Sequence, residues 1–306
     1  LGLGTAPLAG MYAPVTEPAA VTTVARGWEL GLRYFDTAPH YGAGLAETRL
    51  GAAIQRLPAE RYTISTKVGR LLVPGEPAEA FWTEPNGLTS HFDFSATATE
   101  KSLSDSRRRL GDARVAIGLI HDPDDHYQQA LSGSYPVLRQ WRRNGELGAI
   151  GVGMTQSAML TRFAAAGDFD VFMIAGRYNL LDTSALNDLL PWCAARGNSV
   201  VAAGVYHGGL LADPDHVSPL NYLSYSAADI AKLAAIAAVC ARYGVPLRAA
   251  AVQFPAAHPA VASVIVGVRS AAEVDDAVTM YECDIPGQLW TELKSAGLIP
   301  RQAPTP

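Results

Sequence analysis

Cysteine is scarce in this chain of 306 residues: Cys193, Cys240 and Cys283 lie far apart and form neither a CxxC pair nor a metal-ligand pattern. That spacing supplies no disulfide framework and no cysteine-based metal site, so the thiols read as small buried hydrophobes in a reducing, cytoplasmic compartment. Positive charge is in deficit. With 24 Lys and Arg against 29 Asp and Glu, the formal net charge is −5, which leaves no electrostatic footprint for nucleic acid or an anionic membrane surface. Long apolar runs are missing too, since none reaches the ~18 residues that a membrane-spanning helix needs. No stretch rich in Pro, Ser or charge divides the chain as a linker would. Leu1 falls in what reads as the middle of a strand, so residues before it, a removed targeting segment included, are left open.

Apolar material is plentiful. Hydrophobic residues make up 49% of the chain and charged ones 17%, a balance that builds a core rather than a disordered chain. Short β-branched or apolar runs alternate with longer amphipathic stretches. The runs are "LGLGTAP", "LRYFDTA", "RYTISTKV", "VAIGLIHD", "GAIGVGM", "DVFMIAG", "SVVAAGVY" and "SVIVGV". Helices are expected between them, over 17–30, 44–57, 96–110, 135–144, 157–166, 183–196, 226–244 and 270–282. Several open on Ser, Thr or Asp and several close on Gly, as caps require. Eight strand–helix units in residues 1–306 predict a single-domain α/β fold, a (β/α)8 TIM barrel, with a doubly wound sheet as the second choice. Residues 70–95 and 206–225 do not fit the repeat and read as long loops on the C-terminal face of the barrel, where such loops are usually functional.

On that reading, consecutive strand ends bring polar side chains to one mouth. The second strand ends at Asp36, with Tyr41 past the turn in "YFDTAPHYGAG"; the third delivers Lys67 in "TISTKVG", and the fourth His121 in "LIHDPDDH". A phenol with a pKa of about 10 is a poor proton carrier at neutral pH, but a nearby ammonium stabilises its phenolate. Lys67 offers that charge, Asp36 can hold it, and His121 can orient a substrate oxygen or share its proton. Alone, Asp36 reads equally well as a cap, Tyr41 as a packed ring and Lys67 as a solvated strand end; together they point to proton transfer. His121, Asp122, Asp124, Asp125 and His126 raise a separate reading, a divalent-metal hydrolase, but one strand without a matching His pair elsewhere makes a poor coordination sphere, and no metal is expected.

These segments, with "GELGAIGVGM", "RYNLLD" and "SVIVGVRSAAEVDDAV", make the chain resemble the aldo-keto reductase superfamily over nearly its whole length. The resemblance implies a barrel that binds an extended nicotinamide cofactor without a Rossmann domain, and a catalytic tetrad at Asp36, Tyr41, Lys67 and His121. It places Gly4, Thr5 and Asp36 beside the cofactor, Tyr206 as the aromatic that stacks on the nicotinamide, and Gly267, Arg269, Ser270 and Glu273 at its adenosine end. "GLGTAP" itself has Pro7 where a dinucleotide motif needs its third glycine. Glu273, followed by Asp275 and Asp276, suits a ribose diol and repels a 2′-phosphate, which favours NAD, while Arg269 keeps NADP open. Where the family commonly has Ser-Asn and Gln, this chain has Gly153, Met154 and Ala175, leaving Thr155, Gln156 or Asn179 as stand-ins.

"HDPDDH" and "GVGM" are similar to a subgroup of sugar and pyridoxal dehydrogenases. The resemblance therefore implies oxidation of the anomeric carbon of an aldose of the L-fucose, D-arabinose or L-galactose type, or of the pyridoxal hemiacetal, to a lactone. Phe81 and Trp82, with His121, would contact the small-molecule substrate. The alternatives are an NADPH-dependent aldehyde or ketone reductase and, more remotely, the hydrolase or a non-catalytic nicotinamide sensor.

Overall fold

The computed structural model describes residues 1–55, 57–77, 79–217 and 224–306. Eight parallel strands close into a barrel, as the alternating pattern predicts: β1 (Gly2–Gly4), β2 (Tyr34–Asp36), β3 (Thr63–Val68), β6 (Ile117–His121), β7 (Ala149–Met154), β8 (Val171–Ala175), β9 (Ser199–Ala203) and β10 (Val261–Gly267). Two more strands, β4 (Arg70–Pro74) and β5 (Leu88–Phe92), pair antiparallel outside it. Residues 70–95, expected as an irregular loop, are thus largely a hairpin; the stretch 206–225 contains a short 3-10 turn over Pro214–His216, and its residues 218–223 lie outside the described residues.

Strand alternation sorts the side chains. In β2, Phe35 faces the helical layer while Tyr34 and Asp36 face inward; in β3, Ile64 and Val68 pack outward and Ser65 and Lys67 point in. The lower interior is filled by Leu119, Val171, Met173, Val201 and Ile265. On β7 the inward positions are Gly151 and Gly153, and a Cβ at Gly151 would meet the Val171 carbonyl oxygen at 1.8 Å. The barrel can close only because β7 presents bare backbone there.

Gly69 sends the chain out of β3 into the hairpin. Its φ of 97° belongs to the left-handed region, and a Cβ would lie 2.2 Å from the Phe94 ring, so only glycine makes this turn. The hairpin returns over the mouth, and its tip is tied down at Glu84, which accepts from Val15 N at 2.8 Å and from Arg49 Nη2 at 2.7 Å.

The helices follow the sequence pattern closely. Glu17–Glu29, Leu45–Ile54, Ala96–Arg109, Tyr135–Arg143, Ser157–Ala166, Leu189–Arg196, Ala227–Arg242 and Ala271–Glu282 wrap the barrel. Thr16, Ser95, Ser226 and Ser270 cap four of them by accepting backbone N–H bonds. Leu247–Ala256 and Gly287–Ser295 are additional helices without a counterpart in the sequence reading. Six residues of the first are buried, Ala249 to Val252, Phe254 and Pro255, so it shows only a narrow polar face for the period to reveal.

One buried polar group ties this scaffold together behind the site. Glu47, fully buried, accepts from Thr66 Oγ1 of β3 at 2.6 Å and from Arg109 Nε at 2.7 Å. Glu47→Ala leaves both donors without their acceptor and should lower stability by about 2–4 kcal/mol in urea denaturation; a loss below about 0.5 kcal/mol would show that the network contributes no net stability.

Candidate functional site

Lys67 and Asp36 meet at the C-terminal mouth of the barrel, on the inward faces of neighbouring strands. The ammonium donates to Asp36 Oδ2 at 2.7 Å, to Asp36 Oδ1 at 2.9 Å and to the Thr37 carbonyl oxygen at 2.9 Å. A side-chain hydrogen bond also joins it to Tyr41. Ser65 Oγ, two residues before Lys67 on the same face, donates to Asp36 Oδ1 at 2.6 Å and accepts from Tyr34 OH at 2.9 Å. Burial works against the Lys67 charge, but Asp36 and Tyr41 outweigh it and hold the ammonium above its usual range.

Tyr41 reaches this pair across the turn after β2. Gly42 and Gly44, with φ of 56° and 92°, carry the chain into Leu45–Ile54, and a Cβ at Gly42 would strike Ala9 Cβ at 2.6 Å. Lys67 Nζ lies 4.6 Å from the centre of the Tyr41 ring. His121 stands edge-on to that ring, 5.9 Å between centres. Asp36, Tyr41, Lys67 and His121 are therefore brought together as the sequence suggests. The electrostatics differ in sign from the expectation for Tyr41: burial pushes its phenol up to about 12, against the opposing pull of Lys67. The phenol thus keeps its proton at neutral pH in this structure. Burial, then Arg70 and Lys67, hold the His121 imidazole neutral, far below its usual range, and its Nδ1 has no hydrogen-bond partner among the described residues.

Around this group runs a rim in which Trp82 and Phe81 are expected from the sequence, whereas Arg70 and His40 are not. Arg70, the first residue of β4, donates to Asp122 Oδ2 at 2.7 Å, and its Nη1 lies 3.3 Å from His40 Nδ1. His40 also contacts Ser90 Oγ of β5 at 2.8 Å. Trp82 packs against Tyr41 and His40, with ring centres 6.3 and 5.6 Å apart, and Phe81 packs behind it on Trp82 and Tyr12. Arg70 and His40 gave no sequence signal, because only the folded hairpin brings them to the mouth. The "HDPDDH" residues disperse: Asp122 pairs with Arg70, while the His126 ring packs at a tilt against Phe92 and Phe94.

The features assigned to a nicotinamide cofactor cluster on the opposite side of the mouth. Gly4 pairs with Gly267 across β1 and β10 and with Asp36 across β1 and β2, and Thr5 Oγ1 donates to the Asp36 carbonyl oxygen at 2.9 Å. A Cβ at Gly4 would lie 2.9 Å from Ile265, and one at Gly267 would lie 2.9 Å from Pro7. This bare backbone leads into Arg269 and the Ser270-capped helix Ala271–Glu282, a suitable seat for an anionic ligand. The buried Tyr206 hydroxyl has no partner among the described residues; burial, then Asp276, keeps its proton tightly held. These residues fit the group.

Three finer expectations change. Arg269 and Glu273 engage each other, Arg269 N donating to Glu273 Oε2 at 2.7 Å and the guanidinium lying 3.2 Å from Oε1. Asp275 and Asp276 are taken by Arg26 at 2.7 Å and Arg248 at 2.9 Å, so all three carboxylates of this stretch are paired with an arginine, and Glu273 is the one in the first turn of the helix. Asn179 cannot stand in for the missing amide ligands. Its side-chain oxygen accepts from Leu181 N and Asp182 N at 2.9 Å, and its nitrogen faces Gly176 O at 3.0 Å and His207 Nδ1 at 3.3 Å. Thr155 and Gln156 stay near the end of β7, Gln156 exposed.

Comparison with known proteins is consistent along the whole chain. The model of the Aldo/keto reductase family matches residues 1–297. D-threo-aldose 1-dehydrogenase from a Pseudomonas species is 37% identical over 310 residues, covering 98% of this chain and 94% of that protein. Pyridoxal 4-dehydrogenase from Microbacterium luteolum is 37% identical over 322 residues, again covering 98% and 94%. Among solved structures, the glycerol dehydrogenase of Gluconobacter oxydans shares the fold with a TM-score of 0.79 at 22% identity, covering 100% of this chain and 92% of that one.

The electrostatics of the mouth can be read by NMR. Burial, then Arg70 and Lys67, lower the His40 pKa to about 3, whereas Asp213 raises that of exposed His216. Between about pH 5 and pH 8, the His40 and His121 ring resonances should stay unshifted while that of His216 titrates; titration of His121 in that window would contradict the geometry.

Proposed function

This chain belongs to the aldo/keto reductase family of nicotinamide-dependent oxidoreductases, and on that premise we propose that it is an NAD-preferring dehydrogenase. Its substrates would be cyclic sugars or a pyridoxal-type hemiacetal, oxidised at the anomeric carbon to the lactone. The observation that carries this reading is the buried Asp36–Lys67 pair beneath Tyr41 and His121, together with the two dehydrogenase relatives. When bound, the nicotinamide supplies the hydride acceptor.

The protein's share is proton handling and positioning. Tyr41 exchanges a proton with the reacting oxygen, and the Lys67 ammonium stabilises the phenolate that this requires. Asp36 neutralises Lys67 and fixes it, with Ser65 holding the carboxylate from the other side. His121, kept neutral, can donate or accept a hydrogen bond at that same oxygen. Trp82, with Phe81 behind it, forms an apolar wall against one face of the sugar or pyridine ring. Placing the carbon in near contact with its reaction partner supplies much of the acceleration.

Gly4, Thr5, Asp36 and Tyr206 would flank the nicotinamide half of the cofactor, and Gly267, Arg269, Ser270 and Glu273 its adenosine half. The Arg269–Glu273 pair supports NAD, because it neutralises the cation that a 2′-phosphate would seek and keeps a carboxylate for the ribose hydroxyls. One observation favours the second reading, an NADPH-dependent reductase of aldehydes or ketones. The pair is exposed at 43% and 40%, and such a pair is worth only about 0.3–0.5 kcal/mol, so a phosphate can displace Glu273.

Both readings separate in one assay. With L-fucose, D-arabinose, L-galactose and pyridoxal, the wild type should form NADH with at least one substrate, and kcat/KM with NAD should exceed that with NADP by about tenfold. Glu273→Gln should shift that ratio toward NADP. Turnover confined to carbonyl reduction with NADPH would instead favour the reductase.

A further inference from the structure

Asp122 occupies a conformation that a side chain rarely adopts. Its φ is 44°, in the left-handed region that non-glycine residues seldom visit except at functional sites. The backbone is fixed there by Asp122 N donating to the Gly153 carbonyl oxygen at 3.0 Å. The carboxylate is then placed at the rim, side chain 28% exposed, with Oδ2 accepting from Arg70 at 2.7 Å and lying 3.5 Å from His121 Nε2. Oδ1 makes no hydrogen bond among the described residues. Arg70 is itself braced, by His40 at 3.3 Å and by the Phe92 ring 4.4 Å from its guanidinium carbon, and its Nε has no partner among the described residues.

The barrel closes without this pair, and the proton-transfer roles given to Tyr41, Lys67 and Asp36 leave the Asp122 carboxylate unused. On the proposed function the reacting oxygen sits at His121, here taken at Nε2, the ring nitrogen 3.5 Å from the Asp122 carboxylate. A hydroxyl on the adjacent carbon of a sugar lies about 3 Å from that oxygen, one hydrogen-bond length, and so falls within reach of the Asp122 carboxylate. The carboxylate accepts from such a hydroxyl, and the guanidinium behind it holds the acceptor in one orientation. A site built this way disfavours a substrate without the hydroxyl, because the analogue leaves Asp122 Oδ1 without a hydrogen-bond donor while Oδ2 stays with Arg70.

We propose that Asp122, held by Arg70, is the specificity residue that recognises the hydroxyl next to the reacting carbon, so that the site selects 2-hydroxy aldoses over 2-deoxy sugars and simple aldehydes. The proposal rests on the aldose reading above and assigns a recognition group to it.

The test compares kcat/KM for D-arabinose and its 2-deoxy analogue in the wild type, Asp122→Asn and Asp122→Gly. Both replacements tolerate a left-handed backbone, and near-UV circular dichroism together with coenzyme affinity verifies their folding. In each variant, the loss on D-arabinose should exceed the loss on the 2-deoxy sugar by about tenfold or more. Arg70→Gln, which frees the carboxylate, should narrow the same ratio. Equal losses on both sugars would overturn the proposal and make Asp122 a support for His121, leaving the aldose reading intact; no loss on either sugar would also overturn it. A wild type that oxidises neither sugar removes the aldose reading and this proposal with it.

Discussion

Lys67 and Asp36 are nearly sealed from solvent, with side chains 2% and 4% exposed and three oxygens around the ammonium. Removing two charges from water costs several kcal/mol per ion, and their attraction offsets this only when the geometry is close to ideal. Everything that brings them into register therefore matters to the site: the parallel pairing of β2 with β3, Ser65 beneath the carboxylate, and the Thr37 carbonyl at the turn. As a stability device the pair is weak, and a packed hydrophobic pair would serve the fold as well. Its value lies in fixing a positive charge under a phenol that burial keeps protonated, so that the charge is in place when the phenol gives up its proton.

The same reasoning connects the barrel to the chemistry. A strand turns alternate residues inward, so Ser65 and Lys67, or Leu119 and His121, share a face without further specification. Apolar residues fill the lower interior and polar ones the mouth, which keeps water out from below the ion pair. Glycines on β7 give the ladder room to close, and the left-handed Gly69 releases the hairpin that carries Arg70 back over the opening. Fold and site are one construction.

Much of this was legible in the sequence. The eight strands, eight of the helices and the gathering of Asp36, Tyr41, Lys67 and His121 follow from periodicity and from residues at strand ends, because those depend on local pattern. What stayed hidden depends on long-range closure. Arg70 becomes a site residue only when residues 70–92 form a hairpin. Asp122 resembled a metal ligand in "HDPDDH" until its salt bridge to Arg70 was in view. The direction of the Tyr41 shift could not be read either, since proximity to a lysine is a sequence-level argument and the depth of burial is not. Asn179, polar and suitably placed in the chain, is occupied by its own turn.

The central claim is that the barrel places Tyr41 as the proton-transfer group over a charge held by Asp36. Tyr41→Phe removes one oxygen and leaves the ring, the ion pair and the cofactor seat in place, so the direct measurement is its turnover set beside its coenzyme affinity. The account predicts a fall in turnover of about 10²–10⁴ with a coenzyme Kd within about threefold of the wild type. A variant that turns over within about threefold of the wild-type rate would contradict it.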